Sequence, residues 1–237
     1  MTTPAPAPRP LTRSRVVAAV AVAAVVALAV LAFGLLVARG SGLTHLESGV
    51  VSGFNQLHTG VLGAITTGVY SVFSPIPAIA LTAVATLLIW GFSRRFTLAA
   101  TFAVGIALTW LPSAVVKAIV HRTRPDAAAL PHPFHSQPVD ASYPSGHEVF
   151  VTSVVVVVFL LAPRGTARLV AGVVGALAIV AVGMSVLIDG VHYPSDVLAS
   201  ILWALGVAPL VMLVWRAALS GMVASWSRRA SSSSVSR

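Results

Sequence analysis

Cysteine is absent from the 237-residue chain. That absence excludes a disulfide framework, a thiolate metal site and a cysteine nucleophile together. Charge is scarce as well: Asp, Glu, Lys and Arg make up only 9% of the residues, six of them acidic, and Lys117 is the sole lysine. Soluble globular domains carry about 25% charged residues, so this composition excludes an ordinary soluble fold. What fills the chain instead is apolar, at 57% hydrophobic residues. Several uncharged apolar stretches reach the roughly 20 residues needed to cross a bilayer core. The expected fold class is all-α: a polytopic membrane helix bundle.

The spans can be placed along the chain. Residues 1–15 are rich in Pro and Ala with three arginines, and read as a disordered cytoplasmic tail. Val16 to Val37 is the first span, too long for a signal-peptide core and followed by more membrane sequence. Residues 43–73 alternate apolar and polar groups at helical spacing, which predicts one amphipathic helix lying on the membrane surface. Further spans are expected from Pro75 to Phe92, over 97–116, 146–162, 168–187 and 195–215. Six transmembrane helices thus form one domain over 16–217, and Ser/Arg-rich residues 218–237 read as a second disordered tail.

Charge orients the set. With the N-terminus in the cytoplasm, eleven of the fifteen basic residues fall inside, and Arg39, Lys117, Arg122 and Arg124 fall outside. All six acidic residues also fall outside. This is the asymmetry of the positive-inside rule, so the net charge of +9 reflects topology, and nucleic acid is not an expected partner. Both termini are expected in the cytoplasm of a multi-pass cell-membrane protein.

Polar residues then gather at one depth on the outer side. Lys117 ends the third span, Ser145-Gly146-His147 opens the fourth, and His192 and Asp196 precede and enter the sixth. Intramembrane and span-end polar groups are costly and point to function. These types suit phosphoryl transfer: Lys117, Arg122 and Arg124 offer fixed positive charge, and a helix start at Gly146 offers free N–H groups to an anion. Two histidines can divide nucleophilic and proton-transfer work.

"KAIVHRTRP" (117–125), "PSGH" (144–147) and "SVLIDGVHYPSD" (185–196) resemble, in order and internal spacing, the three motifs of the type 2 phosphatidic acid phosphatase superfamily. The resemblance implies that His192 attacks phosphorus, oriented by Asp196, and that His147 protonates the leaving oxygen. It implies that Lys117, Arg124, Ser145 and Gly146 hold the phosphate oxygens, with no metal or other cofactor. Lipid phosphates or diphosphates at the extracytoplasmic face are the implied substrates.

One position departs from the pattern: Val186 stands where the motif has arginine. Arg122, or His121 when protonated, is expected to swing in and replace that charge. If nothing replaces it, the chain is a catalytically silent lipid-binding or accessory membrane protein of the same fold. Each residue also has a plainer role: Ser145 and Glu148 have the spacing of a capping box, and Lys117 and Arg124 could be snorkelling anchors.

Overall fold

A computed structural model of the chain describes residues 13–40, 42–135 and 138–235. Most of the expected N-terminal tail lies outside them. The described residues contain helices and no strand. The first, α1 (Arg13–Ala38), is apolar around its whole circumference, which suits a helix exposed to hydrocarbon on most sides. The amphipathic region forms two helices, α2 (Gly42–Asn55) and α3 (Gly60–Val72), where one was expected. They are separated at Thr59, which is extended, and Gly60, whose φ of +51° is open to glycine at no steric cost.

Next comes α4 (Pro75–Ser93), with proline at its first position, where the missing N–H would be unpaired anyway. The third expected span is interrupted. α5 (Phe96–Trp110) and α6 (Ser113–Val120) meet at Leu111-Pro112, because proline cannot supply the helical N–H. The remaining helices are α7 (Gly146–Leu161), α8 (Thr166–Ile188) and α9 (Pro194–Val235). α9 runs on through the Ser/Arg-rich segment expected as a tail.

Five of the six expected spans are long and apolar enough to cross a membrane; α5 and α6 count together as one of them. The exception is α7, whose 16 residues rise only about 24 Å at 1.5 Å each. It is the central helix, packed by α5, α8 and α9, while α1 covers α9 and α4 covers α5. A helix enclosed by protein can start below the surface, because its neighbours satisfy the backbone that leads into it. The lead-in does lie deep: Ser142, Tyr143 and Ser145 are fully buried. The Tyr143 hydroxyl donates to the Val30 carbonyl of α1 at 2.6 Å, eight residues before that helix ends. Gly34 makes room for the tyrosine ring, since a Cβ there would collide with Tyr143 Cε1. The α7 N-terminus is therefore recessed in the bundle, between the ends of α6, α8 and α9.

Candidate active site

Three helix ends converge on the recess. α6 ends at His121, which turns left-handed at φ +48° and releases the chain carrying Arg122 and Arg124. α8 ends at Asp189, and a short turn leads through His192 into α9.

His192 is fully buried between two charged partners. Its Nε2 lies 3.2 Å from Arg124 Nη1, and its Nδ1 lies 3.4 Å from Asp196 Oδ2. Arginine can only donate and a carboxylate can only accept. The pairing therefore selects one tautomer: Nδ1–H toward Asp196 and the lone pair on Nε2. Burial, then the charges of Arg124 and Lys117, hold the imidazole well below its ordinary pKa. At neutral pH it is an uncharged base with its unprotonated nitrogen beside Arg124.

Asp196 is itself fixed. Its Oδ1 accepts from Arg122 Nη1 at 2.7 Å and its Oδ2 from the Tyr193 N–H at 2.9 Å. The same Arg122 donates through Nη2 to Glu47 Oε2 at 2.8 Å and Thr44 Oγ1 at 3.0 Å, and through Nη1 to Ser195 Oγ at 2.8 Å. Its guanidinium also lies 4.0 Å over the Tyr193 ring. Arg122, expected at the phosphate, is thus buried between Asp196 and Glu47. Two carboxylates claim it, and a buried guanidinium follows its counter-ions.

Lys117 and Arg124 face one exposed carboxylate. Lys117 Nζ donates to Asp140 Oδ2 at 2.9 Å and to the Ala141 carbonyl at 2.6 Å. Arg124 Nη2 donates to Asp140 Oδ1 at 2.7 Å, Nε to the Asp140 carbonyl at 3.0 Å, and Nη1 to the Val191 carbonyl at 2.7 Å. Partial burial pushes the Asp140 carboxyl up. The hydrogen bond and charge of Lys117, then those of Arg124, outweigh it and bring it down to about 2.

The start of α7 completes the recess. Ser145 Oγ is buried with no hydrogen-bond partner, and Glu148 turns away to meet Thr152 Oγ1 at 3.3 Å. The expected capping box is therefore not formed; Ser145 has no side-chain capping bond. A Cβ on Gly146 would meet open space, and the first N–H groups of any helix lack partners within it. His147 Nε2 lies 3.1 Å from the Tyr70 carbonyl, and its ring stacks on Tyr70 at 4.1 Å. Nε2–H donates to that carbonyl, so Nδ1 is the nitrogen left for proton exchange.

The sequence model described as "PAP2 superfamily" matches residues 96–220, more than half of the chain. The chain belongs to the PAP2 superfamily. Its fold is similar to a crystal structure described as the first transmembrane PAP2-type phosphatidylglycerolphosphate phosphatase from Bacillus subtilis. The TM-score is 0.63 at 16% identity, covering 82% of this chain and 96% of that one. No curated protein matches the chain.

Within this PAP2 chain, Val186 is fully buried in an apolar cluster with Phe134, Leu187, Val191 and Val197, flanked by Tyr70. Of the two residues expected to compensate, Arg122 is engaged with Asp196 and Glu47, and His121 is exposed at the α6 cap. Four residues escaped sequence reasoning: Glu47, Tyr70, Asp140 and Asp189. Glu47 lies in a helix expected to rest on the surface, yet it is buried, and it accepts from the Ser195 N–H and Oγ as well as from Arg122. The one available signal was the scarcity of acids, since each of six carboxylates in so apolar a chain invites a specific reason.

Proposed function

We propose that this PAP2 chain is a membrane phosphatase acting on a lipid phosphate or diphosphate through a phosphohistidine. The observation that carries the reading is His192, buried and neutral, its Nε2 beside Arg124 and its Nδ1 against an anchored Asp196. In the proposed first step, Nε2 attacks phosphorus, a P–N bond forms and the bond to the lipid oxygen breaks. His147 delivers a proton from Nδ1 to that oxygen. In the second step His147 takes a proton from water, the water oxygen attacks phosphorus, and the P–N bond breaks to release phosphate. Lys117, Arg124, the Ser145 hydroxyl and the N–H groups at the start of α7 would hold the phosphoryl oxygens, which supports a route without metal.

The substrate would approach from the membrane, since the site opens among span ends. The positive-inside asymmetry supports a site on the extracytoplasmic face and termini in the cytoplasm. A phosphate monoester headgroup, of the kind named for the similar Bacillus subtilis protein, falls within the proposed class. Purified protein should release phosphate from a lipid phosphate in the presence of EDTA, and His192→Ala should abolish both release and covalent trapping of radiolabelled phosphate. Release by His192→Ala at the wild-type rate would reject the nucleophile.

A second reading has one observation in its favour. With Val186 packed in an apolar cluster where the motif has arginine, the site could bind phosphate without turning it over. Phosphate binding by wild type, without release from any lipid phosphate, would select that reading.

A further inference from the structure

The two cations assigned to phosphate are not waiting free. A single carboxylate, Asp140, meets both: Oδ2 accepts from Lys117 Nζ at 2.9 Å and Oδ1 from Arg124 Nη2 at 2.7 Å. Two acceptor oxygens, one per cation, reproduce the way two oxygens of a phosphoryl group would engage the same pair. We propose that Asp140 is the resident counter-ion of the phosphate site, and that a phosphoryl group binds by displacing it.

This inference rests on the phosphate-site reading above and adds an exchange step to it. Three features make the carboxylate exchangeable. Its side chain is 54% exposed while Lys117 and Arg124 are 18% and 9% exposed, so it can swing into water while they stay. Backbone carbonyls also hold both cations independently: Ala141 for Lys117, and Asp140 and Val191 for Arg124. Losing the carboxylate therefore leaves the cations aimed at the recess. Finally, Asp140 lies five residues before Ser145 in the same segment, so its side chain competes locally, without moving a helix.

Displacement has a consequence opposite to that of an ordinary ligand. A group that supports phosphate binding weakens it when removed; a competitor strengthens it. A half-exposed ion pair contributes modestly, so Asp140→Asn should tighten phosphate binding about tenfold at low salt, and less as salt screens the pair. Asp140→Glu keeps the charge and should bind as wild type does.

The test titrates the full-length protein in detergent with inorganic phosphate by calorimetry, and with a short-chain phosphatidic acid in parallel. Wild type, Asp140→Asn, Asp140→Glu and Lys117→Ala are compared. The expected result is weakened binding in Lys117→Ala and tightened binding in Asp140→Asn. Tightening of inorganic phosphate alone would confine the exchange to free phosphate; tightening of both extends it to the lipid headgroup. Unchanged or weaker phosphate binding by Asp140→Asn, with Lys117→Ala still impaired, overturns the counter-ion and leaves the phosphate site standing. Wild-type binding by Lys117→Ala overturns both. Failure of Asp140→Asn to fold while Asp140→Glu folds would make the carboxylate a structural tie, and also overturns the proposal.

Discussion

Arg122 and Arg124 stand two residues apart, yet they meet opposite sides of the His192–Asp196 pair. Arg122 is buried between Glu47 of α2 and Asp196 of α9. Arg124 reaches His192 and shares a half-exposed carboxylate with Lys117. The difference lies in their counter-ions. Two enclosed carboxylates make Arg122 a fixed strut behind Asp196, whereas one solvent-reachable carboxylate leaves Arg124 able to exchange partners. Identical side chains thus acquire different work from what distant helices bring to them.

That contrast predicts separate signatures. Arg122→Ala leaves Glu47 and Asp196 buried without a cation, and should lower stability by about 3–5 kcal/mol, read as an earlier unfolding transition in detergent. Arg122→Lys should not restore it, because one ammonium cannot span acceptors on both sides as a planar guanidinium does. A wild-type transition for Arg122→Ala would break the comparison. Arg124→Ala should do the reverse. Its ion pair is half-exposed and contributes at most about 1 kcal/mol to folding, but loss of a preorganised donor should slow turnover by about 10²–10³. Matched rate losses in folded Arg122→Ala and Arg124→Ala would erase the distinction.

Asp189 sharpens the comparison as a buried carboxylate that no arginine reaches. It is fully buried, and His58 Nε2 stands 3.5 Å from its Oδ1. Burial pushes it from its ordinary 3.8 up to about 6, with only partial relief from Thr66 and His58. An acid with a raised folded-state pKa destabilises the fold once ionised. The loss should therefore grow from about pH 4 to about pH 6 and stay constant above. It amounts to no more than about 3 kcal/mol at 1.36 kcal/mol per pKa unit. Asp189→Asn should accordingly unfold later than wild type at pH 8 and together with it at pH 4. An earlier transition at pH 8 would show that the His58 contact outweighs the burial.

Much of the architecture was legible because a bilayer demands long apolar helices, and composition records that demand directly. The departures have local causes. Pro112 interrupts the third span, Gly60 divides the amphipathic segment, and α7 is short because protein encloses it. Motif spacing pointed to His192, Asp196, Lys117, Arg124 and the Ser145-Gly146-His147 helix start, and the fold brings these to one recess. The ion pairs of Arg122 with Glu47 and Asp196 were not legible, because nearness in sequence to Arg124 suggested a shared task.

Sequence alone determined the all-helical membrane class and the approximate positions of the spans, and it nominated the residues proposed for phosphoryl transfer. Each follows from local composition or short spacing. Only the tertiary structure decided which cation meets which anion. It buried Glu47 against Arg122 across 75 positions and seated Asp140 between Lys117 and Arg124. It also packed Val186 among apolar side chains. Ion pairing acts over a few ångströms of space, and no local pattern in the chain records which distant residues will lie that close.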